Sequence, residues 1–328
     1  MFDKPGDSPQ SNSGRDQLEV SVVLPIYQEP QGVRELIPEL VAALASLGHR
    51  YEIIAVDDGS SEETQGALRA LRTTYPDVVR VVRHLTNRGN GAALRSGIRA
   101  ARGEVVVTMD ADGQHDPRHI QSLLQELPPY DLVIGARTAG YAGPWYRNWA
   151  NRFYNAFAGW LSHRKIDDLT SGFRAMRREI VLHFLPLFPE GFSAPTTTTL
   201  GFLKAGYNVA FVPVEVGPRT GGTSKIRLWQ DGARFVSLIL RMIMLYDPLR
   251  IFVPAGFLLA LLGTLAWVAG VVNANRLVFP NSAIFLFTAC LLVWLLGMIS
   301  DQIASNRVHY FGDESLVEME PDEPGASR

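Results

Sequence analysis

Apolar and polar positions over the first two-thirds of the chain follow two alternating patterns. Short runs rich in β-branched residues are separated by longer stretches in which apolar residues recur every three or four positions, as on one face of a helix. The runs that predict strands are 20–27, 51–56, 78–84, 104–110 and 131–136, and the stretches that predict helices are 33–47, 62–74, 91–101 and 117–127. Strands and helices that alternate in this way favour an α/β fold with a largely parallel sheet.

The most polar motifs of this region follow the predicted strands. They are Pro25, Tyr27 and Glu29 after the first strand, Asp57 and Asp58 after the second, Asn87 to Gly91 after the third, and Asp110 to Gln114 after the fourth. Because ligands of such sheets bind at the carboxyl ends of the strands, these four ends are expected to form one polar crevice. Asp110, Asp112 and Gln114 can share one side of an extended chain, and their oxygens suit Mg²⁺ or Mn²⁺.

The expected ligand of this crevice is a nucleotide diphosphate carried on the cation. The turn after the first strand lacks G-x-G-x-x-G, and no G-x-x-x-x-G-K-[ST] occurs, so the motifs of dinucleotide-binding and P-loop proteins are missing. Carboxylates repel a diphosphate, and binding beside Asp110 and Asp112 therefore requires an intervening cation. The net charge of −2 gives no sign of nucleic-acid binding, and the single cysteine, Cys290, leaves no disulfide framework or cysteine-rich zinc site.

Two long apolar runs, 251–272 and 283–303, dominate the last third of the chain. Each is long enough to cross the roughly 30 Å hydrocarbon layer as a helix, and together they predict a transmembrane hairpin. Before it, Arg227, Arg234 and Arg241 recur at intervals of seven against an apolar face, which is typical of a helix at a membrane interface. The basic residues before the first span predict a multi-pass protein of the cell (inner) membrane, with the amino-terminal domain and both termini in the cytoplasm.

Five motifs, within residues 21–29, 56–61, 87–93, 110–115 and 171–174, occur in an order that is shared with a known family. They resemble the family-two inverting glycosyltransferases, and most closely the dolichol-phosphate mannosyltransferase and polyprenyl-phosphate glycosyltransferase branch. The resemblance implies a glycosyltransferase-A (Rossmann-like) fold, a nucleotide-sugar donor, and a metal site at Asp110, Asp112 and Gln114. The donor nucleotide would be bound by Pro25, Tyr27, Glu29, Asp57, Asp58, Asn87, Gly91 and Asp110. A turn and helix N-cap at residues 57–60 is compatible with that role.

The same resemblance implies an acceptor that is a lipid phosphate. Its phosphate would be bound by Arg137, Arg147, Asn151, Arg219, Ser224 and Lys225, although the family often has serine at the position of Asn151. Arginine suits this task because its planar fork donates two hydrogen bonds to one phosphate. The expected catalytic residues are Asp112, Asp168, Arg137 and Lys225. A phosphate with a second pKa near ~6 is already ionised at neutral pH, which favours an orienting role for Asp168 and leaves a base role open.

The leading hypothesis is an enzyme that transfers one sugar, with inversion, from a nucleotide-diphosphate sugar to undecaprenyl or dolichyl phosphate. The alternatives are another membrane lipid or a growing polysaccharide as acceptor, and a catalytically silent scaffold of a membrane assembly. Hairpin-anchored relatives also suggest a homo-oligomer. The predicted order is a disordered lead at 1–17, a catalytic domain at 18–226, an interfacial helix at 227–248, the two spans within 249–306, and an acidic cytoplasmic tail at 307–328.

Overall fold

A mixed seven-stranded sheet forms the centre of the amino-terminal part of the protein. The computed structural model describes residues 19–137, 145–188, 194–217, 240, 243–244 and 247–309, without the side chains of 145–151 and 307–309. The strands are β1 (Val20–Ile26), β2 (Tyr51–Asp58), β3 (Val79–His84), β4 (Val105–Thr108), β5 (Leu132–Arg137), β6 (Arg174–Arg177) and β7 (Val209–Val214). The helices are α1 (Pro30–Leu47), α2 (Glu62–Thr74), α3 (Asn90–Ala100), α4 (Ile120–Gln125), α5 (Trp145–Ser162), α6 (Arg178–Phe184), α7 (Ala194–Lys204), α8 (Leu249–Ala274) and α9 (Asn281–His309).

The strand order is β3-β2-β1-β4-β6-β5-β7. Strands β1 to β4 pair in parallel, whereas β6 runs antiparallel to both β4 and β5. The predicted α/β class is therefore confirmed, and the parallel arrangement holds for the half of the sheet that contains the four polar strand ends. Strand β6 escaped the sequence prediction because it has only four residues and begins and ends with arginine.

Helix α1 shows how the sequence pattern becomes the core. Val33, Leu36, Ile37, Leu40 and Leu44 follow helical spacing, and all five are buried in the hydrophobic cluster that includes the residues of β1 and β2. Their burial holds the first turn of the helix over the carboxyl end of the sheet. The helix predicted at 117–127 is shorter than expected, since it divides into a 3₁₀ turn at Pro117–His119 and α4.

The chain divides into two compact units. The first contains the sheet with α1 to α4 and α6, and the second contains α5, most of α7, and the carboxyl-terminal helices α8 and α9. The predicted catalytic domain at 18–226 stays a prediction. The predicted interfacial helix lies outside the described residues except at 240, 243–244 and 247–248.

Helices α8 and α9 form an antiparallel pair with glycines at the contact. Gly256, Gly263 and Gly270 recur every seven residues along α8, and a Cβ at these positions would meet Trp294, Phe287 and Pro280. Within the described residues, these are the two helices long and apolar enough to cross a membrane, and only 11% and 17% of their most apolar stretches are buried. A hairpin that formed the core of a soluble domain would be mostly buried, so the exposed apolar faces favour contact with lipid.

Replacement of Gly256 with leucine is expected to separate the two helices. An added Cβ would lie 2.0 Å from Nε1 of Trp294, whose indole also donates to the carbonyl of Val253 at 3.3 Å. Overpacking of this kind costs about 1–3 kcal/mol, so the melting temperature in detergent should fall by several degrees. The exposed Ala255→Leu, on the same helix turn, is the control; equal melting temperatures for the two variants would contradict this contact.

Candidate active site

Three turns at the carboxyl edge of the sheet contact one another directly. Parallel register pairs Ile26 of β1 with Asp57 of β2. The backbone N–H of Gln28 donates to Oγ of Ser60 at 3.1 Å, which ties the turn after β1 to the turn after β2. On the other side, Gly32 in the first turn of α1 approaches the carbonyl of Ala111 so closely that a Cβ would lie 2.4 Å from it. The turns after β1, β2 and β4 thus lie at one edge of the sheet in the first unit, as parallel strands require, and the crevice itself stays a prediction.

The two aspartates after β2 are buried and bonded to the protein. Oδ1 of Asp57 accepts from the backbone N–H of Ser60 at 2.9 Å, and its Oδ2 lies 3.7 Å from Nε of Arg83. The carboxylate of Asp58 accepts from the backbone N–H groups of Arg88 and Gly89, at 2.9 and 2.8 Å. The Asp57 carboxylate therefore stabilises the turn that contains it, and the Asp58 carboxylate joins that turn to the loop after β3.

The remaining predicted donor residues surround these aspartates with different exposure. Tyr27 is 48% exposed and lies in the turn after β1, so it is accessible to a ligand at this edge of the sheet. Pro25 and Glu29 are half-buried, Asn87 is exposed, and Gly91 is buried in the first turn of α3. Their contacts with a nucleotide stay predictions.

The end of β4 and the segment 110–114 that follows it are held by hydrogen bonds to two other parts of the first unit and by one bond within the segment. Oγ1 of Thr108 donates to the carbonyl of Gly172 at 2.7 Å. The carbonyl of Gln114 accepts from the backbone N–H of Gly217 at 2.9 Å, and Oδ1 of Asp112 accepts from the backbone N–H of Gln114 at 3.2 Å. Asp110, Asp112 and Gln114 are all half-buried, so solvent reaches the edge on which they lie.

The donor set fits a divalent cation that completes its coordination with substrate oxygens. Among the described residues there is no group of three His, Cys, Asp or Glu side chains that could enclose a metal. Mg²⁺ and Mn²⁺ sites in nucleotide-binding enzymes often have only one or two protein carboxylates, and phosphate oxygens of the substrate complete the coordination. Asp110 and Asp112 can supply the carboxylates, and Gln114 can supply an amide oxygen. The next carboxylate, Asp116, caps the following turn, and its hydrogen bond with Arg118 lowers its pKa.

Gly172→Ala is expected to displace the carboxylate of Asp110. The φ of Gly172 is outside the left-handed region, but a Cβ there would lie 2.7 Å from Oδ2 of Asp110. A shift of about 1 Å in a reacting group can reduce turnover on the order of 10²-fold. Gly66→Ala, where the nearest described atom is 3.9 Å from the added Cβ, is the matched control. If sugar transfer and Mn²⁺ affinity are unchanged in Gly172→Ala, neither of them depends on the position of the Asp110 carboxylate.

The predicted acceptor residues are only partly described. Arg137 is half-buried at the end of β5. Arg147 and Asn151 lie one helical turn apart in α5, with side chains outside the described part of the chain, and Arg219, Ser224 and Lys225 lie outside it altogether. These assignments stay predictions.

Asp168 belongs to the second unit, where it is buried. Its Oδ1 accepts from the backbone N–H of Thr170 at 3.1 Å and from Oγ1 of the same residue at 3.3 Å. Asn155 of α5 holds this turn from both sides, since its Nδ2 donates to the carbonyl of Asp167 at 2.6 Å and its Oδ1 accepts from the N–H of Leu169 at 3.0 Å. The arrangement fixes the orientation of Asp168, which suits a positioning group.

Residues 21–184 match the family model described as glycosyl transferase family 2. The chain belongs to glycosyltransferase family 2. Residues 247–305 of this glycosyltransferase match a second model, the GtrB C-terminal hairpin, which coincides with α8 and α9. The predicted family and the predicted glycosyltransferase activity are thereby confirmed.

Named relatives cover half or more of the glycosyltransferase. Undecaprenyl-phosphate 4-deoxy-4-formamido-L-arabinose transferase from Pseudomonas syringae pv. syringae is 31% identical over 85% of this chain and 81% of its own length. Dodecaprenyl-phosphate galacturonate synthase from Rhizobium johnstonii is 34% identical over 52% of this chain and 51% of its own length. A crystal structure of glucosyl-3-phosphoglycerate synthase from Mycobacterium tuberculosis, in complex with Mn²⁺, UDP and glucosyl-3-phosphoglycerate, has a TM-score of 0.54. That alignment covers 74% of this chain and 85% of the other at 20% identity, and it agrees with the predicted glycosyltransferase-A fold.

Two polar contacts of the glycosyltransferase site were not predicted. One joins His84, at the end of β3, to Asp58, and the other is the close approach of Gly172 to Asp110. A signal for His84 was present in the sequence, because it is the polar residue that ends a predicted strand at the carboxyl edge. Gly172 belongs to the sequence motif at 171–174, but the motif does not indicate that Asp110 is its neighbour. That contact depends on the antiparallel strand β6.

Proposed function

We propose that this glycosyltransferase transfers a single sugar from a nucleotide-diphosphate sugar to polyprenyl phosphate at the cytoplasmic face of the cell membrane, with inversion at the anomeric carbon. The observation that carries the proposal is the combination, in one chain, of a sheet edge that bears Asp58, Asp110 and Asp112 with an apolar helical hairpin. A relative that matches most of this chain is named an undecaprenyl-phosphate sugar transferase, which supports the same acceptor here.

The donor half of the proposal is supported by the site at the sheet edge. Asp110, Asp112 and Gln114 would hold Mg²⁺ or Mn²⁺, and the turns that contain Tyr27 and Asp58 would bind the nucleotide. Bound there, the cation would neutralise the negative charge that develops on the leaving diphosphate. The Mn²⁺ and UDP named with the Mycobacterium tuberculosis enzyme are compatible with this choice of ligands.

The membrane half is supported by the start of α8. The guanidinium of Arg250 lies 3.9 Å from the ring centroid of Trp160, and its Nη1 donates to the carbonyl of Leu161 at 3.1 Å. Arginine and tryptophan are both favoured where a span leaves the hydrocarbon layer, and arginine is favoured on the cytoplasmic side. This end of α8 is therefore assigned to the cytoplasmic interface, where a polyprenyl phosphate presents its head group.

The chemistry assigned to the protein is mainly positioning. A lipid phosphate is already ionised at neutral pH and needs no base before its oxygen attacks the anomeric carbon. Arg137, Arg147, Arg219 and Lys225 would hold the acceptor phosphate in line with the donor, and Asp168 would orient neighbouring groups. As the phosphate oxygen bonds to the anomeric carbon, the bond from that carbon to the nucleoside diphosphate breaks, and the configuration at the anomeric carbon is inverted.

Product identification tests the proposal. Purified full-length protein in detergent is incubated with undecaprenyl phosphate, Mn²⁺ or Mg²⁺, and a panel of UDP- and GDP-sugars, and the lipids are analysed by mass spectrometry. One donor should add the mass of a single glycosyl residue to the lipid phosphate. Repeated addition would indicate a polysaccharide synthase, and a folded protein that yields no product with any donor would indicate a scaffold.

A further inference from the structure

A buried histidine links the turn after β2 to helix α3. His84 is the last residue of β3 and pairs in register with Asp58 of β2. Its Nδ1 lies 2.6 Å from Oδ1 of Asp58, and its Nε2 lies 2.8 Å from Oγ of Ser96 in α3. The side chains of His84 and Asp58 are only 7% and 4% exposed, so water contributes little to the hydrogen bonding of this pair.

The chemistry of the partners defines the tautomer of the ring. An ionised carboxylate only accepts, so the proton on Nδ1 of His84 must be donated to Asp58. In the neutral ring, Nε2 then accepts from the hydroxyl of Ser96. The imidazole therefore bridges the strand and the helix with both of its nitrogens, and it cannot rotate without losing both hydrogen bonds.

The carboxylate that His84 holds is nearly saturated with donors. Oδ1 of Asp58 accepts from His84 and from the backbone N–H of Arg88, and Oδ2 accepts from the backbone N–H of Gly89. A carboxylate has about four acceptor positions, two on each oxygen. Three are occupied by the protein, which leaves one, on Oδ2, for an N–H or O–H of a ligand.

We propose that His84 is a positioning residue for the nucleotide-sugar donor, which fixes Asp58 so that this single acceptor position on Oδ2 meets the base or ribose. The inference rests on the proposed function, because it assigns the crevice to a nucleotide. The same bonds hold the loop after β3, in which Asn87 and Arg88 are exposed, in one conformation at the crevice. His84 thus acts through Asp58 and does not touch the reacting atoms.

Three variants of His84 separate positioning from general stability. His84→Leu removes both hydrogen bonds, and His84→Asn keeps an N–H at the position of Nδ1. His84→Gln places its amide further out, near the position of Nε2. His49→Asn is the control, since His49 is exposed and pairs with Glu19 at the opposite edge of the sheet. Binding of UDP and of GDP, each with Mn²⁺, is measured by calorimetry, and the Michaelis constants are measured with the nucleotide sugar that gives product.

His84→Leu is expected to raise the donor KM and weaken binding of the preferred nucleoside diphosphate by roughly 10- to 100-fold, the scale for hydrogen bonds to a charged group. The kcat at saturating donor and the KM for undecaprenyl phosphate should change by less than about 3-fold, and His84→Asn should restore most of the donor affinity. If His84→Leu does not fold, His84→Gln replaces it with the same expectation.

The outcomes distinguish this inference from the proposed function. If the wild-type protein transfers sugar and the donor KM of His84→Leu and His84→Gln equals that of the wild type, the role of His84 is overturned and the proposed function stands. Equal losses in kcat and in the KM of both substrates, without recovery in His84→Asn, reduce His84 to a structural residue. A wild-type protein that binds neither diphosphate and makes no product overturns the proposed function, and the role of His84 with it.

Discussion

Asp110→Asn and Asp112→Asn are each expected to reduce sugar transfer by at least 10²- to 10³-fold, which is the scale for losing one electrostatic contact in a transition state. Each change removes a negative charge from the predicted cation site while it keeps the size of the side chain. The affinity for Mn²⁺ should fall with the activity, because the two carboxylates are the charged ligands that the proposal assigns to the cation. Turnover is measured by mass spectrometry of the lipid product, and Mn²⁺ affinity by calorimetry.

Folding and surface charge are controlled by Asp77→Asn. Asp77 is exposed in the connection between α2 and β3, so its replacement should leave activity, Mn²⁺ affinity and melting temperature unchanged. Near-normal transfer by both Asp110→Asn and Asp112→Asn would contradict the assignment of a cation site to this sheet edge.

Lys225→Ala is expected to weaken transfer on the order of 10²-fold, again the scale for a charged contact that strengthens in the transition state. Lys225 ends the pattern R-x-x-G-x-S-K that begins at Arg219, and the family resemblance assigns Arg219, Ser224 and Lys225 to the acceptor phosphate. Binding of the nucleoside diphosphate with Mn²⁺ should change much less, since the predicted donor residues are elsewhere in the sequence. Initial rates at several acceptor concentrations, together with calorimetry of the diphosphate, measure the two effects separately.

The control for lysine replacement is Lys165→Ala. Lys165 is exposed and lies 2.9 Å from Oδ1 of Asp167, a surface pair of the kind that contributes little. Wild-type kinetics in Lys225→Ala, or an equal loss in Lys165→Ala, would contradict a specific contact with the acceptor phosphate.

The sequence was sufficient for the part of the fold in which local pattern and topology agree. Strands β1 to β5 are mostly β-branched and apolar, and helices of the right spacing follow the first four. A parallel sheet then requires that Tyr27, Asp58 and Asp110 come to one edge, and the contacts between their turns confirm it. The hairpin was equally clear, since its two apolar runs have the length of membrane spans.

Contacts that depend on long-range pairing could not be predicted. The bond between His84 and Asp58 requires the register of β2 and β3, and neither residue alone indicates it. Gly172 approaches Asp110 because β6 enters the sheet antiparallel to β4, against the pattern of the preceding strands. The burial of Glu52 in β2 likewise depends on distant partners, since its Oε1 accepts from Oγ of Ser21 at 2.7 Å and its Oε2 from Nη1 of Arg80 at 2.6 Å.

The most direct test of the central claim compares two acceptors that differ only in the phosphate. Initial rates are measured with undecaprenyl phosphate and with undecaprenol, at equal concentration, with the nucleotide sugar that gives product and Mn²⁺. If cationic side chains bind the acceptor phosphate and no base is needed, the phosphate should be glycosylated at least ~10²-fold faster than the alcohol. Equal rates with the two acceptors, together with loss of transfer in Asp168→Asn, would contradict the lipid-phosphate mechanism and make Asp168 a general base.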